Sequence, residues 1–248
     1  MERKDIIVGG RTVRYYEAGE GPALVLLHGA GATGRLWHRQ FGPLSENFWV
    51  IAPDLPGFGG SARFPDIRDV RGYEKFLSLF LDSLGIRRIF LAGSSMGGWV
   101  ACWFAVDYPE KLRKLVLVSP AGVYHEEEPP MSVDRVIKEL ERYYSNIPSP
   151  LVQGFDAVDE LTKGVETILS IHSAGGFRTD VEERLSDIKA TSLIIWGRED
   201  RVVPVSYAKV FHERIRGSKL LVLEGVGHLP YIERPEEFNS AVNDFLAS

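Results

Sequence analysis

Arg88-Ile89-Phe90-Leu91-Ala92-Gly93-Ser94-Ser95-Met96-Gly97-Gly98 is an apolar run that breaks at glycines and leads straight into a helical pattern. The run predicts a buried strand, and the turn after it spells Gly-x-Ser-x-Gly with Ser95 at its centre. On such a corner the central residue takes a positive φ, so the residues two before and two after it must be very small; Gly93 and Gly97 meet that demand. The corner would lift the Ser95 hydroxyl above the C-terminal edge of a sheet. The N-terminal N–H groups of the following helix, from Met96 onward, would there face anionic oxygen. Ser95 is the candidate nucleophile. The competing reading is a strand-to-helix turn that merely needs glycine, and the rest of the chain decides between them.

Outward from that stretch, short β-type runs alternate with helical patterns. Strands are predicted near Asp5–Val8 and Thr12–Glu17, with Gly9-Gly10 as a hairpin turn, then at Ala23–Leu27, Trp49–Ala52, Arg88–Ala92, Leu115–Val118, Leu193–Trp196 and Leu220–Leu223. The later runs are apolar enough to be buried on both faces, as in a parallel sheet. Helices fit near Arg35–Glu46, Val70–Leu84, Met96–Tyr108, Pro204–Ile215 and Pro235–Leu246, the last two opening on proline. The expectation is an α/β architecture with a mostly parallel sheet. The alternation breaks between about Gly122 and Lys189, where Val133, Val136, Ile137, Leu140, Tyr143 and Tyr144 recur at helical spacing behind Ser132, a candidate cap. Shorter helices are expected near Val158–Ile171 and Asp180–Ile188. This stretch reads as a helical cap inserted after the sixth strand. Its aromatic residues, Phe155 and Phe177 among them, would form its own core, shape a pocket over the serine, or both.

Composition narrows the function classes. The chain has 248 residues, 44% hydrophobic and 25% charged, which suits an ordinary globular protein of one domain with an insertion or of two small ones. The net charge of −5, from 29 basic and 34 acidic residues, comes without a basic patch suited to nucleic acid. No secretory pattern follows the charged start, and no apolar run approaches the roughly 18 residues of a transmembrane helix. A single cysteine, Cys102, makes no internal disulfide and fits a reducing, cytoplasmic setting. The oligomeric state is left open.

One loop has two meanings. His28-Gly29-Ala30-Gly31-Ala32-Thr33-Gly34 follows a strand and contains Gly-x-Gly-x-x-Gly, and Asp54 stands twenty residues beyond Gly34, after the next strand. That satisfies the dinucleotide-binding fingerprint with its ribose-binding acid. In a hydrolase the same loop supplies a second oxyanion donor, and small residues let its backbone approach a carbonyl oxygen. The hydrolase reading also uses residues 93–97, 200 and 228, which the dinucleotide reading leaves unexplained. On it, the backbone N–H groups of Ala30 and Met96 form the oxyanion hole, His28 braces the loop, and Asp54 ties down its own turn.

A serine nucleophile needs a base oriented by a third group. Of the six histidines, His228 stands just beyond a strand, whereas His38 and His212 fall in predicted helices and His125 and His172 in the inserted segment. Asp200 closes Trp196-Gly197-Arg198-Glu199-Asp200, again after a strand, with Glu199 as the rival acid. Ser95, Asp200 and His228 thus appear in that order, each directly after a strand of one parallel sheet, where ligands bind. No histidine or cysteine spacing suggests a metal, and the reaction requires no cofactor.

With Leu27-His28-Gly29 and Trp37 downstream, Pro53–Gly59, Gly93–Gly98, Tyr108-Pro109, Gly197–Asp200 and Gly227-His228, the chain resembles the α/β-hydrolase family over nearly its whole length. The resemblance implies the α/β-hydrolase fold, a mostly parallel eight-stranded sheet flanked by helices. Its core would be 1–122 and 190–248, with a helical cap at 123–189. It implies acyl transfer from a small-molecule ester of small to medium acyl chain, with Trp37, Phe155, Val203 and Leu229 as pocket candidates. Ser119-Pro120-Ala121-Gly122-Val123 resembles the region after the sixth strand in monoacylglycerol-lipase-like and meta-cleavage-product hydrolases. The latter often carry tryptophan after the catalytic histidine, where Leu229 stands here. A C–C bond hydrolase would need a basic cap residue, Arg178 or Arg184, on the substrate carboxylate. A ligand receptor that signals by closing its cap is a further alternative on this fold.

Overall fold

Gly9 and Gly10 take φ of 54° and 78° and turn β1 (Glu2–Val8) back antiparallel on β2 (Arg11–Ala18). The structure, a computed structural model, describes residues 1–123, 138, 157–173, 175 and 181–248. The chain continues through β3 (Ala23–Leu27), β4 (Trp49–Pro53), β5 (Ile89–Ser94), β6 (Leu112–Val118), β7 (Thr191–Gly197) and β8 (Lys219–Leu223). Among the described residues these strands form one eight-stranded sheet in the order β1-β2-β4-β3-β5-β6-β7-β8, parallel from β4 to β8. Strands β3 and β5 are buried at every residue, as their uninterrupted apolar runs require.

Register fixes where the site stands. Leu27 lies opposite Gly93, Ser94 opposite Val118, Val118 opposite Ile195, and Gly197 opposite Leu223. The C-terminal ends of β3, β5, β6, β7 and β8 therefore share one edge, and the loops that follow them converge there.

Helices among the described residues include α1 (His38–Leu44), α2 (Val70–Ser83), α3 (Met96–Asp107), α4 (Ala157–Ser173), α5 (Ser206–Arg214), α6 (Pro230–Glu233) and α7 (Pro235–Ala247). Helix α2 starts where the Asp69 carboxylate accepts from Gly72 N–H at 2.9 Å, and it buries Tyr73, Phe76, Leu77, Phe80 and Leu81 along one stripe. Helix α3 is buried on all sides from Met96 to Ala105. It carries the elbow into the middle of the molecule, where each large apolar side chain contributes about 1.5–3 kcal/mol by burial.

Three expected helices differ in detail. In place of one helix at Arg35–Glu46 there is a 3-10 turn, Gly34–Trp37, followed by α1. The Gly34 N–H is held by Asp54 Oδ1 at 2.8 Å, and the Leu36 N–H bonds back only to Thr33 O. The helix expected from Pro204 begins at Ser206, because Tyr207 and Ala208 bond three residues back, to Pro204 O and Val205 O. Glu182–Asp187 is a 3-10 helix. The helix expected between Ser132 and Tyr144 lies outside the described residues. Among the described residues no helix is long and apolar enough to cross a membrane.

Candidate active site

Ser95 links β5 to α3 with φ 53° and ψ −119°, the positive φ expected of the elbow. The strain is held by backbone bonds: Ser95 N–H donates to Val118 O at 3.0 Å, and Ser95 O accepts from Trp99 and Ala121 N–H groups at 3.0 and 3.1 Å. Both flanking glycines are required by close approach. A Cβ at Gly93 would stand 2.3 Å from Gly97 O, and one at Gly97 would stand 2.5 Å from Leu27 O. Ser119, with φ 42°, is the other non-glycine residue of positive φ among those described, and it sits beside the elbow at the end of β6.

The loop after β3 lies against this serine. A Cβ at Gly29 would be 3.1 Å from Ser95 Cβ and 3.6 Å from its Oγ. His28 braces the loop as expected: Nε2 accepts from Leu55 N–H at 2.9 Å, which makes Nδ1 the donor to Gly29 O at 2.8 Å. Complete burial lowers the His28 pKa to about 4, so the ring is neutral at pH 7. Ala30 and Met96 are both buried, and the first-turn position of Met96 leaves its N–H without an acceptor inside α3.

Asp54 shows what the second glycine pattern is for. Its Oδ1 accepts from Gly34 N–H at 2.8 Å and its Oδ2 from Gly60 N–H at 2.9 Å, so both oxygens tie loops together inside the protein. A carboxylate spent in this way is not presented to a ribose.

On the other side, His228 Nδ1 lies 2.8 Å from Asp200 Oδ2, with both side chains buried. Asp200 Oδ1 accepts from the Val202 and Val203 N–H groups at 2.8 and 2.9 Å, which aims its second oxygen at the ring. Glu199 Oε2 instead accepts from Val226 N–H at 2.9 Å, bracing the loop that precedes His228. Sequence reasoning missed Glu233 altogether. Its carboxylate accepts from Gly227 N–H at 3.0 Å and Leu229 N–H at 3.2 Å, the residues before and after His228.

The remaining candidates divide. Val203 and Leu229 are buried next to these groups in the chain. Trp37 is fully buried with its ring stacked on Tyr231 at 3.9 Å and tilted against Phe238, which gives it a packing role between the 3-10 turn and α6 and α7. Phe155, Arg178 and His125 lie outside the described residues. Arg184 is exposed and paired with Asp187 at 2.6 Å, so it does not present a free cation to a substrate. His212 bonds Ser218 at 3.0 Å on α5, and His172 is exposed on α4.

Residues 24–241 match the model of the alpha/beta hydrolase family. The 2-hydroxy-6-oxo-6-phenylhexa-2,4-dienoate hydrolase of Comamonas testosteroni is 33% identical over 94% of this chain and 91% of its own. The monoacylglycerol lipase abhd6-B of Xenopus laevis is 29% identical over 93% of this chain and 77% of its own. Among solved structures, a meta-cleavage product hydrolase from Pseudomonas fluorescens superposes with a TM-score of 0.80 at 26% identity, covering 98% of this chain and 97% of that one. The elbow, the strand order and these matches coincide over the same residues: the chain belongs to the alpha/beta hydrolase family.

Proposed function

We propose that this hydrolase cleaves carboxylic esters of small to medium acyl chains through an acyl-enzyme. Ser95 is the nucleophile, His228 the base, Asp200 its orienting acid, and the Ala30 and Met96 N–H groups the oxyanion donors. The observation that carries the reading is the 2.8 Å contact between buried His228 and Asp200, at the sheet edge where Ser95 is held strained. His228 takes the Ser95 proton as Oγ attacks the carbonyl carbon, then gives it to the leaving alcohol. Water repeats the sequence and frees the acid. Asp200 keeps the imidazole in the tautomer that accepts at Nε2 and stabilises the imidazolium. On this reading residues 123–189 are the cap, 1–122 and 190–248 the core, and Val203 and Leu229 border the acyl group. Buried, unpaired Cys102 supports a cytoplasmic setting.

Hydrolysis of a C–C bond in a dienoate is the second reading, favoured by the Comamonas relative. The test is turnover of p-nitrophenyl esters from acetate to laurate, and of 2-hydroxy-6-oxo-6-phenylhexa-2,4-dienoate, by the wild type and Ser95→Ala at matched folding. Ester turnover that falls by about 10³-fold or more in Ser95→Ala is expected. Esters left untouched while the dienoate is cleaved would replace the first reading with the second.

A further inference from the structure

Helix α4 meets the loops around the serine through polar groups. Glu160, Lys163, Gly164 and Thr167 follow one another at helical spacing. Glu160 Oε2 accepts from Arg35 Nη2 at 2.5 Å, and the two side chains are only 16% and 13% exposed. Lys163 Nζ donates to Gly59 O at 3.2 Å and also to Ser61 O. Thr167 Oγ1 donates to Gly57 O at 2.8 Å. At Gly164 the helix packs on the loop at ordinary contact distance, where a Cβ would stand 3.5 Å from Gly31 Cα.

Arg35 belongs to the 3-10 turn that directly continues the His28–Thr33 loop. That turn is gripped from one side by Asp54, through the Gly34 N–H, and from the other by Glu160, through the Arg35 side chain. The loop that precedes this turn is glycine-rich and carries the Ala30 N–H, so its position depends on what holds its two ends, His28 at one and this turn at the other. An ion pair of this kind adds little net stability, since desolvation offsets the attraction, but it fixes geometry.

We propose that the Glu160–Arg35 ion pair is a latch by which helix α4 sets the position of the 29–34 backbone, and so of the oxyanion donor at Ala30. The inference rests on the oxyanion role assigned to Ala30 above. Glu160 and Arg35 are positioning residues; neither touches the reacting atoms. A site open at α4 would bind substrate with its oxyanion donor out of place, and closure would couple substrate coverage to transition-state stabilisation.

The test compares the full chain with Glu160→Gln, Arg35→Gln and the double variant, using p-nitrophenyl butyrate and octanoate, with phenylboronic acid as a tetrahedral-adduct probe. Each single variant is expected to lose about tenfold in kcat on both esters, a partial misplacement of one donor, with KM nearly unchanged. Boronate affinity should fall by the same factor, and the double variant should be no slower than the slower single one. Unchanged kcat, a loss in KM that varies with acyl length, or additive losses would each overturn the latch. Folding is checked by thermal unfolding; if a glutamine variant does not fold, Glu160→Asp keeps the charge and should retain KM while losing part of kcat. Ser95→Ala is run alongside. If ester turnover does not depend on Ser95, the ester-hydrolase reading itself fails, whereas Ser95-dependent turnover with normal kcat in the latch variants removes the latch alone.

Discussion

Glu233 accepts the N–H groups of Gly227 and Leu229, the residues before and after His228, so one carboxylate ties the loop down on both sides of the candidate base. Glutamine has one acceptor oxygen and would turn an NH2 group toward the second N–H, leaving a donor facing a donor at a cost of about 1–3 kcal/mol. Glu233→Gln is expected to lower kcat roughly tenfold with little change in KM, because on the proposed mechanism the displaced base would act in the transition state rather than in binding. Glu233→Asp, which keeps both oxygens on a shorter stem, should fall between. Steady-state kinetics at matched folding check this, and an undiminished kcat in Glu233→Gln would reduce the contact to loop packing. Sequence could single out Asp200 and His228 as candidates because each stands in the loop after a strand, and parallel register brings such loops to one edge. It could not find Glu233, whose direction is set by the tertiary packing of α6. There Tyr231 stacks on Trp37 and its carbonyl accepts from Gln40 Nε2 at 2.8 Å.

At the scale of elements, strand β3 is legible to the residue, since an apolar run bounded by Pro22 and His28 leaves no freedom in where it ends. The 3-10 turn at Gly34–Trp37 was not, because it comes from a hydrogen bond to Asp54 across the fold and leaves no periodic mark. The Glu160–Arg35 contact spans 125 residues and was equally invisible. Helix α4 offers a direct measurement of how closely it is fitted. Gly164 lies in its interior, and a Cβ there would meet Gly31 Cα and Phe58 Cδ1 at 3.5 Å each and Gly31 O at 3.7 Å, ordinary contact distances. Gly164→Ala removes the backbone freedom of glycine without a clash and is expected to stabilise the protein by about 0.5–1 kcal/mol. The same change should raise Tm by roughly 1–4 °C in a chain of this size. A lowered Tm would mean that α4 approaches the loop more closely than these distances indicate.

At the scale of the whole molecule, stability should carry the imprint of ionisable groups closed off from water. His28, Asp54 and Glu74 are each at most 1% exposed. Burial lowers the His28 pKa from 6.5 to about 4, so its contribution is lost as pH falls through that interval. Burial raises Asp54 from 3.8 to about 6, so its contribution is full below 3.8 and is lost as pH rises through 6. These two oppose each other between about pH 4 and 6. Glu74 has no such counterweight near neutrality. Burial between α2 and α3 raises it from 4.5 to about 7, against the pull of Arg71 at 3.3 Å and with Asp107 close by on α3. Its neutral form therefore stabilises the fold below pH 4.5, and that contribution is lost as pH rises through 7. At 1.36 kcal/mol per unit the loss approaches about 3 kcal/mol at pH 8. Glu74→Gln keeps the shape of the neutral acid and cannot ionise. It should match the wild type at pH 5 and unfold about 5–10 °C higher at pH 8, with Arg71 still stacked on Trp103 and paired to Asp107. Thermal unfolding of the two proteins at pH 5, 6.5 and 8 decides it: curves that diverge with pH carry the argument. Curves that stay parallel would mean that Arg71 keeps Glu74 ionised throughout, and that the interface between α2 and α3 is held by a true ion pair.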